Sequence, residues 1–397
     1  MNSDKKKHKS QYPIIIINEK AAEKLKNGSP FVFRDDIVRF PPDIQPGIAG
    51  MTTPGGRWIG IALVQPSSSI FCRFLTHKRR INLETLIIHR LKRAVDFRTA
   101  GLGFGNGSCR LVNGEADGIP GVVVDRIGNG ITVQSFSESA DIFIPVITKW
   151  LENELKVDVI VLKNTSKSRS METQDNETRI VYGENPLVDH YEGNIRFEID
   201  LVSSQKTGTF LDQVSNHMYM GEKARGRCLD LFSYNGGFAL AMAENQCDVT
   251  AVDSSQSAVE KIKRNAELNN LNVKTQVGDV FFLLRKYYKN HLRFDTIVCD
   301  PPALAKSRKD IPGALRGYQD LALNCFKLLD DEGLLFFCSC SSHVNTEMLL
   351  DVIKKGATDA GKKVVLLETR RTPVDHPSII SIPETDYLKC FLLRVIM

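Results

Sequence analysis

Leu229-Asp230-Leu231-Phe232-Ser233-Tyr234-Asn235-Gly236-Gly237-Phe238 joins an apolar strand with an acidic end to a loop holding two adjacent glycines, and then to an apolar helix start. The same alternation continues to the C-terminus. Strands are expected at Cys228–Leu231, Val249–Val252, Val273–Val277, Thr296–Cys299, Leu334–Cys338, Val364–Glu368 and Leu388–Ile396. Helices are expected at Gly237–Glu244, Ser257–Asn269, Phe281–Lys289, Leu315–Leu329 and Thr346–Ala360. Continuous apolar strands separated by amphipathic helices specify a parallel, doubly wound sheet of the α/β class. Ligands of such sheets lie beyond the carboxyl ends of the strands, at the point where strand order reverses.

Upstream the pattern changes. From Tyr12 to about Leu75, short apolar runs (Phe31–Phe33, Trp58–Val64, Ile70–Leu75) alternate with Pro, Gly and Ser clusters, which predicts a small β-rich barrel or sandwich. Helical spacing over Leu83–Arg98 opens a second unit, in which Val112–Gly130 reads as strand, turn, strand. Strands follow at Ile131–Phe136 and Val157–Lys163 around a helix at Ile142–Leu155, and the polar run Ser166–Thr178 reads as a loop. The first residues, with Lys5, Lys6, Lys7 and Lys9, read as a basic tail.

Of 397 residues 42% are hydrophobic and 25% charged, which excludes a chain disordered throughout. The net charge of +5 divides unevenly. Residues 1–110 hold 19 Lys and Arg against 8 Asp and Glu, whereas the remainder holds 33 against 39. A basic front part suits a polyanion, and a more acidic rear part suits a different task. The nine cysteines are scattered and form no Cys-x-x-Cys pair, so neither a zinc site nor a disulfide scaffold is expected, and no metal is assigned. The early apolar run Ile14–Ile17 is too short for a membrane span or a signal segment, and the expectation is a cytoplasmic protein with no membrane partner.

The glycine loop lacks Gly-x-Gly-x-x-Gly, and Asp230 sets a negative charge where a dinucleotide pyrophosphate needs a helix N-terminus, so a dinucleotide is disfavoured. S-adenosylmethionine, with a cationic amino-acid tail and an adenosine, suits the same residues better. Asp230 can accept from its ammonium, Asp253 from the ribose hydroxyls and Asp279 from the adenine amino group. An Asp at a strand end can equally cap a helix, but with Asp300 there are four at successive strand ends.

Asp300-Pro301-Pro302 closes the fourth strand with a carboxylate and a stiffened backbone. Cys338-Ser339-Cys340-Ser341-Ser342-His343 closes the fifth, and the serines and histidine around Cys340 suit a polar, solvated pocket. Cys72, Cys228, Cys247 and Cys325 read instead as small buried hydrophobes. A thiolate adding at C6 of cytosine makes C5 nucleophilic, and an Asp at the base edge stabilises the adduct. Cys340 and Asp300 supply those two groups; the base that removes the C5 proton is not identified.

These residues resemble the bacterial large-subunit ribosomal RNA cytosine-C5 methyltransferases of the single-cysteine type, which carry an N-terminal PUA domain. The likeness covers Gly28–Phe33 and Trp58–Ile70 in the PUA module, Arg110–Gly121, Gln205–Gln213, Asp230–Phe238, Asn265, Asn269, Asp300–Pro302, Cys338–Ser341 and Pro383–Lys389. It implies a tail over residues 1–11, a PUA-like RNA-binding β-barrel over 12–80, a central α+β domain over 81–200 and a class I, Rossmann-like S-adenosylmethionine-dependent methyltransferase domain over 201–397. Catalysis then falls to Cys340 and Asp300, and cofactor binding to Asp230, Phe232, Gly236, Gly237, Asp253, Asp279 and Lys206. RNA contacts fall to Arg73, Lys78, Arg79 and Arg80, with large-subunit ribosomal RNA as partner and a homodimer as one allowed assembly.

The sequence departs from that pattern at Val214 and His217, which stand where the family carries arginine, so two positive charges near the cleft are expected to be missing. Leu304 replaces an aromatic residue, and Cys299 precedes Asp300, which speaks against a second catalytic cysteine. Two alternatives stay open: methylation of a purine amino group on the same fold, and a non-catalytic RNA-binding protein of ribosome assembly.

Overall fold

The computed structural model of the protein describes residues 12–165, 169, 176–204 and 206–396; the basic tail and most of the expected loop at Ser166–Thr178 lie outside the described residues. The chain forms two compact units. One runs to Val188 and adds Ile199–Gly208 and Ile380–Ile382; the other comprises Asp189–Glu198, Thr209–Ile379 and the chain from Pro383.

The first unit begins with strands β1 (Ile14–Ile17), β2 (Phe31–Phe33), β3 (Ile37–Arg39), β4 (Gly47–Thr52), β5 (Trp58–Val64) and β6 (Ile70–Thr76), in the order β2-β6-β5-β4-β1-β3. Between β1 and β2 lies helix α1 (Glu19–Lys26), which the β-rich reading of this region did not foresee. The Asn18 side chain caps it by accepting from the Ala21 N–H at 2.7 Å, and Ala21, Ala22 and Leu25 bury its inner face. Its eight residues present too few apolar positions for periodicity to stand out from the surrounding turn signals.

Helix α2 (Leu83–Asp96) leads to a five-stranded sheet of β7 (Cys109–Asn113), β8 (Val122–Ile127), β9 (Gly130–Ser135), β10 (Val159–Lys163) and β11 (Thr178–Tyr182), with α3 (Ile144–Glu154) between β9 and β10. One hydrophobic core spans both parts of this unit. Ile61, Leu63 and Leu75 from the six-stranded sheet pack in the same cluster as Ile87 and Leu91 of α2 and Leu111 and Val124 of the five-stranded sheet. A two-stranded sheet of β12 (Leu187–Glu192) and β13 (Ile195–Asp200) follows.

In the second unit α4 (Val214–Lys223) precedes the alternation read from the sequence: β14 (Arg227–Leu231), α5 (Gly237–Glu244), β15 (Asp248–Asp253), α6 (Gln256–Leu268), β16 (Val273–Val277), α7 (Val280–Lys289), β17 (Phe294–Cys299), α8 (Ile311–Leu328), β18 (Leu329–Ser339), α9 (Thr346–Asp359), β19 (Lys363–Arg370) and β20 (Lys389–Ile396). The sheet order is β16-β15-β14-β17-β18-β20-β19. Order therefore reverses between β14 and β17, and the ends of these two strands carry Asp230 and Asp300.

One expectation fails here. The sheet is not parallel throughout, because β20 runs antiparallel to both β18 and β19. No α-helix lies between β19 and β20, so the chain lacks the crossover that a parallel return requires. Among the described residues no helix is long and apolar enough to cross a membrane.

Candidate active site

Three residues of the loop after β14, Phe232 (φ 65°), Tyr234 (φ 49°) and Gly236 (φ 92°), adopt left-handed backbone. Two of them are not glycine, a conformation that costs on the order of 1 kcal/mol each and needs outside support. The support is a set of hydrogen bonds. The Ser233 N–H donates to the Val252 carbonyl at 3.0 Å and the Ser233 hydroxyl to the Asp230 carbonyl at 2.8 Å. The Tyr234 N–H donates to Asp253 Oδ2 at 3.0 Å, and Asn265 Nδ2 to the Asn235 carbonyl at 3.1 Å. The loop is thereby fastened to β15 and α6, and Gly236 starts α5 at a position where a Cβ would come within 2.5 Å of Leu240 Cδ1.

Asp230 lies under this loop, 1% exposed, and neither carboxylate oxygen has a hydrogen-bond partner. Burial pushes its pKa up to about 7; Asp300's charge adds to the rise, while Ser233, His217 and the Ala239 N–H oppose it only in part. The other strand-end carboxylates differ. Asp253 is half-buried and also accepts from the Ser255 N–H at 2.9 Å. Asp279 is exposed and caps α7 by accepting from the Phe282 N–H at 2.8 Å, so the capping reading holds for one of its oxygens.

Asp300 and Cys340 end the neighbouring strands β17 and β18. Gln213 Nε2 donates to Asp300 Oδ2 at 2.8 Å, and Cys340 Sγ lies 4.0 Å from the Pro301 carbonyl. Cys340 alone among the nine cysteines is not buried. The serines beside it do not line a solvated pocket as the sequence suggested. Ser339 and Ser341 are fully buried, each 2.8 Å from the Tyr318 hydroxyl, and Ser341 Oγ also accepts from the Ala305 N–H at 3.2 Å. They pin the turn that presents Cys340. Lys389, 3% exposed, adds hydrogen bonds from its ammonium to the carbonyls of Ser341 (2.8 Å) and Val344 (2.7 Å).

His217 is 6% exposed, and its Nδ1 donates to Glu192 Oε2 at 2.7 Å, while His190 Nε2 donates to Glu192 Oε1 at 3.0 Å. Burial opposes a charge on His217, but Glu192, Asp300 and Asp230 outweigh it, and its pKa is raised. For Glu192 the same exchange ends the other way: burial is overcome by His217 and His190, and its pKa falls to about 2. These carboxylates therefore favour a positive charge where the sequence suggested the loss of one. The signal was the spacing His190-x-Glu192, which sets both side chains on one face of a strand.

Residues 173–394 match the S-adenosylmethionine-dependent methyltransferase family, and residues 15–77 match a PUA-like domain. The chain is 32% identical to ribosomal RNA large subunit methyltransferase I of Klebsiella pneumoniae, over 97% of this chain and 99% of that protein. It is 33% identical to the protein of the same name from Erwinia tasmaniensis, over 96% of this chain and all of the relative. The chain belongs to the S-adenosylmethionine-dependent methyltransferase family. Two solved structures share the fold of this methyltransferase at a TM-score of 0.82 and cover 96% of it: one titled a SAM-dependent methyltransferase from Streptococcus mutans (21% identical), the other a methyltransferase complexed with SAH (20%).

S-adenosylmethionine is the methyltransferase's cofactor, and the site fits it. Asp230 offers two buried, unpartnered carboxylate oxygens, for which a cation is the natural answer, beside the left-handed loop that leads into α5. Lys206 belongs to the other compact unit, where it is exposed at φ 48°. Of the basic residues assigned to RNA, Lys78, Arg79 and Arg80 are exposed. Arg73 is not: it is 7% exposed and sits 3.5 Å from Glu115 Oε1, an interior ion pair that removes it from contact with phosphates.

Two outcomes follow from this geometry. The raised pKa means that folded Asp230 takes up a proton the unfolded chain has lost: the penalty is absent below about pH 4, grows towards pH 7 and is constant above it, at a few kcal/mol. Asp230→Asn therefore raises the thermal midpoint of the cofactor-free enzyme more at pH 8 than at pH 5, while calorimetry shows S-adenosylhomocysteine affinity falling at least about tenfold, the loss of one charged hydrogen bond. Tyr318→Phe removes the hydroxyl shared by Ser339 and Ser341; thermal unfolding is expected to show a loss of about 1–3 kcal/mol with cofactor affinity unchanged.

Proposed function

We propose that this methyltransferase modifies C5 of a cytosine in 23S ribosomal RNA, with Cys340 as nucleophile. The observation that carries the proposal is that Cys340, alone among nine cysteines, is only half-buried, at a strand end beside the Asp300-Pro301-Pro302 turn. The names of the relatives support ribosomal RNA of the large subunit as substrate, and hence action in the cytoplasm.

In this reading Cys340 adds as thiolate to C6 of the target base, and the displaced electron pair makes C5 nucleophilic. Asp300, oriented by Gln213, receives the base edge at N3 and the exocyclic amine and stabilises the adduct. S-adenosylmethionine supplies the methyl group, as an electrophile on a sulfonium. A base then removes the C5 proton, the C5–C6 double bond reforms and the Cys340 thiolate leaves. Asp230 receives the cofactor's cationic end, Asp253 its ribose, and Asp279 the adenine amine through the oxygen that does not cap α7. Phe232, Gly236 and Gly237 shape the loop around the cofactor.

The PUA-like module over residues 12–80 holds the RNA, with the central α+β domain over 81–200 and the methyltransferase domain over 201–397. Lys78, Arg79 and Arg80 meet phosphates, and Arg79, 5.2 Å from the Trp58 ring, joins that cation to a stacking surface. A 5-fluorocytidine-substituted 23S fragment tests the nucleophile, because fluorine cannot leave C5 as a proton. Incubated with S-adenosylmethionine, the wild-type enzyme is expected to trap a covalent RNA adduct on denaturing gels, and Cys340→Ser to trap none. An active enzyme that forms no adduct, or a Cys340→Ser variant with full activity, overturns the proposal in favour of direct transfer to an amino group.

A further inference from the structure

The pairing of His217 with Glu192 is buried beside the cofactor loop, yet neither residue has a part in the chemistry proposed above. Both oxygens of Glu192 are engaged, one by each histidine, so the carboxylate holds the His217 ring in a fixed orientation. The ring packs edge-on against Phe238 with centroids 4.5 Å apart. It also lies so close to the start of α5 that a Cβ on Gly237 would fall 2.2–2.6 Å from ring atoms Cε1, Nδ1 and Nε2. A helix N-terminus repels a cation, at a cost of about 0.3–1 kcal/mol. Three carboxylates face the ring from the elements around it and offset that cost: Glu192 of β12, Asp230 of β14 and Asp300 after β17. His190, also on β12, stands behind Glu192.

We infer that His217 is a positioning residue of the cofactor site: its ring, fixed by Glu192 against the N-terminus of α5, sets a cation-favouring group beside Asp230 and so favours the ionised carboxylate that a cationic ligand needs. Without it Asp230 loses its cationic neighbour but keeps the charge of Asp300, and it takes a proton more readily at neutral pH. A protonated Asp230 no longer attracts the ammonium that all forms of the cofactor carry. The inference rests on Asp230 being the cofactor's anionic contact, and that assignment has its own control.

The test is the pH profile of S-adenosylhomocysteine affinity by calorimetry, from pH 6 to 9, for wild type, His217→Gln and Asp230→Asn. His217→Gln keeps an N–H for Glu192 but cannot carry a charge. It is expected to bind about fivefold more weakly at pH 7 and to recover towards pH 9, a displacement of its profile to alkaline pH by about one unit. A purely structural role weakens binding by the same factor at every pH, and that result, or no change, overturns the inference. Nitrogen-15 NMR of the wild-type imidazoles decides the matter if the variant does not fold: His217 is expected to titrate above the ordinary histidine range, and a neutral His217 at pH 7 overturns the inference. Normal binding by Asp230→Asn removes the Asp230 assignment instead, and the inference with it.

Discussion

A carboxylate with no partner inside a folded protein is an unsettled charge, and the second unit is organised around one. Asp230 ends the central strand β14, where the sheet reverses its order, and every neighbouring feature bears on it. The left-handed loop above it is tied to β15 through Ser233 and Tyr234, so the roof of the site is rigid before any ligand arrives. Asp300 raises its energy further, while His217 lowers it. Burying such a group costs stability, and proteins tolerate that cost where a ligand offsets it. In the proposed reading the cation of S-adenosylmethionine does so here.

The same arrangement separates the two ends of the reaction. In the proposed reading Asp230 of β14 meets the cofactor's charge and Asp253 of β15 its ribose, whereas Cys340 stands two strands from β14, at the end of β18. Cys340 is held there indirectly. Tyr318 in α8 ties down the serines on either side of it, and Lys389 in β20 ties down the backbone beyond. The antiparallel β20 thus has a local consequence, since it brings the buried Lys389 under the turn that carries Cys340.

Much of this was legible in the sequence for a simple reason: buried parallel strands are continuous apolar runs, and the helices between them keep one apolar stripe. The seven strands and five intervening helices of the sheet lie where periodicity placed them, and four acidic residues lie at their ends. What escaped was non-local. The direction of β20 depends on a missing crossover helix, not on its own residues. Helix α1 is short and polar, and only its Asn18 cap marks it. Arg73 looks like a phosphate contact until Glu115, 42 positions away, is seen beside it. His217 looks like a lost charge until Glu192 supplies a partner that favours its cation. Ion pairs between distant segments leave no periodic trace, so residue type alone misjudged both.

The central claim, that Asp230 waits half-protonated for a cation, is tested most directly by counting protons. S-adenosylmethionine titrated into the enzyme at pH 7, in buffers of different ionisation enthalpy, reports the protons exchanged on binding. The account predicts a net release on the order of half a proton per site, lost in Asp230→Asn. Binding without proton release in the wild type, or the same release in the variant, contradicts it.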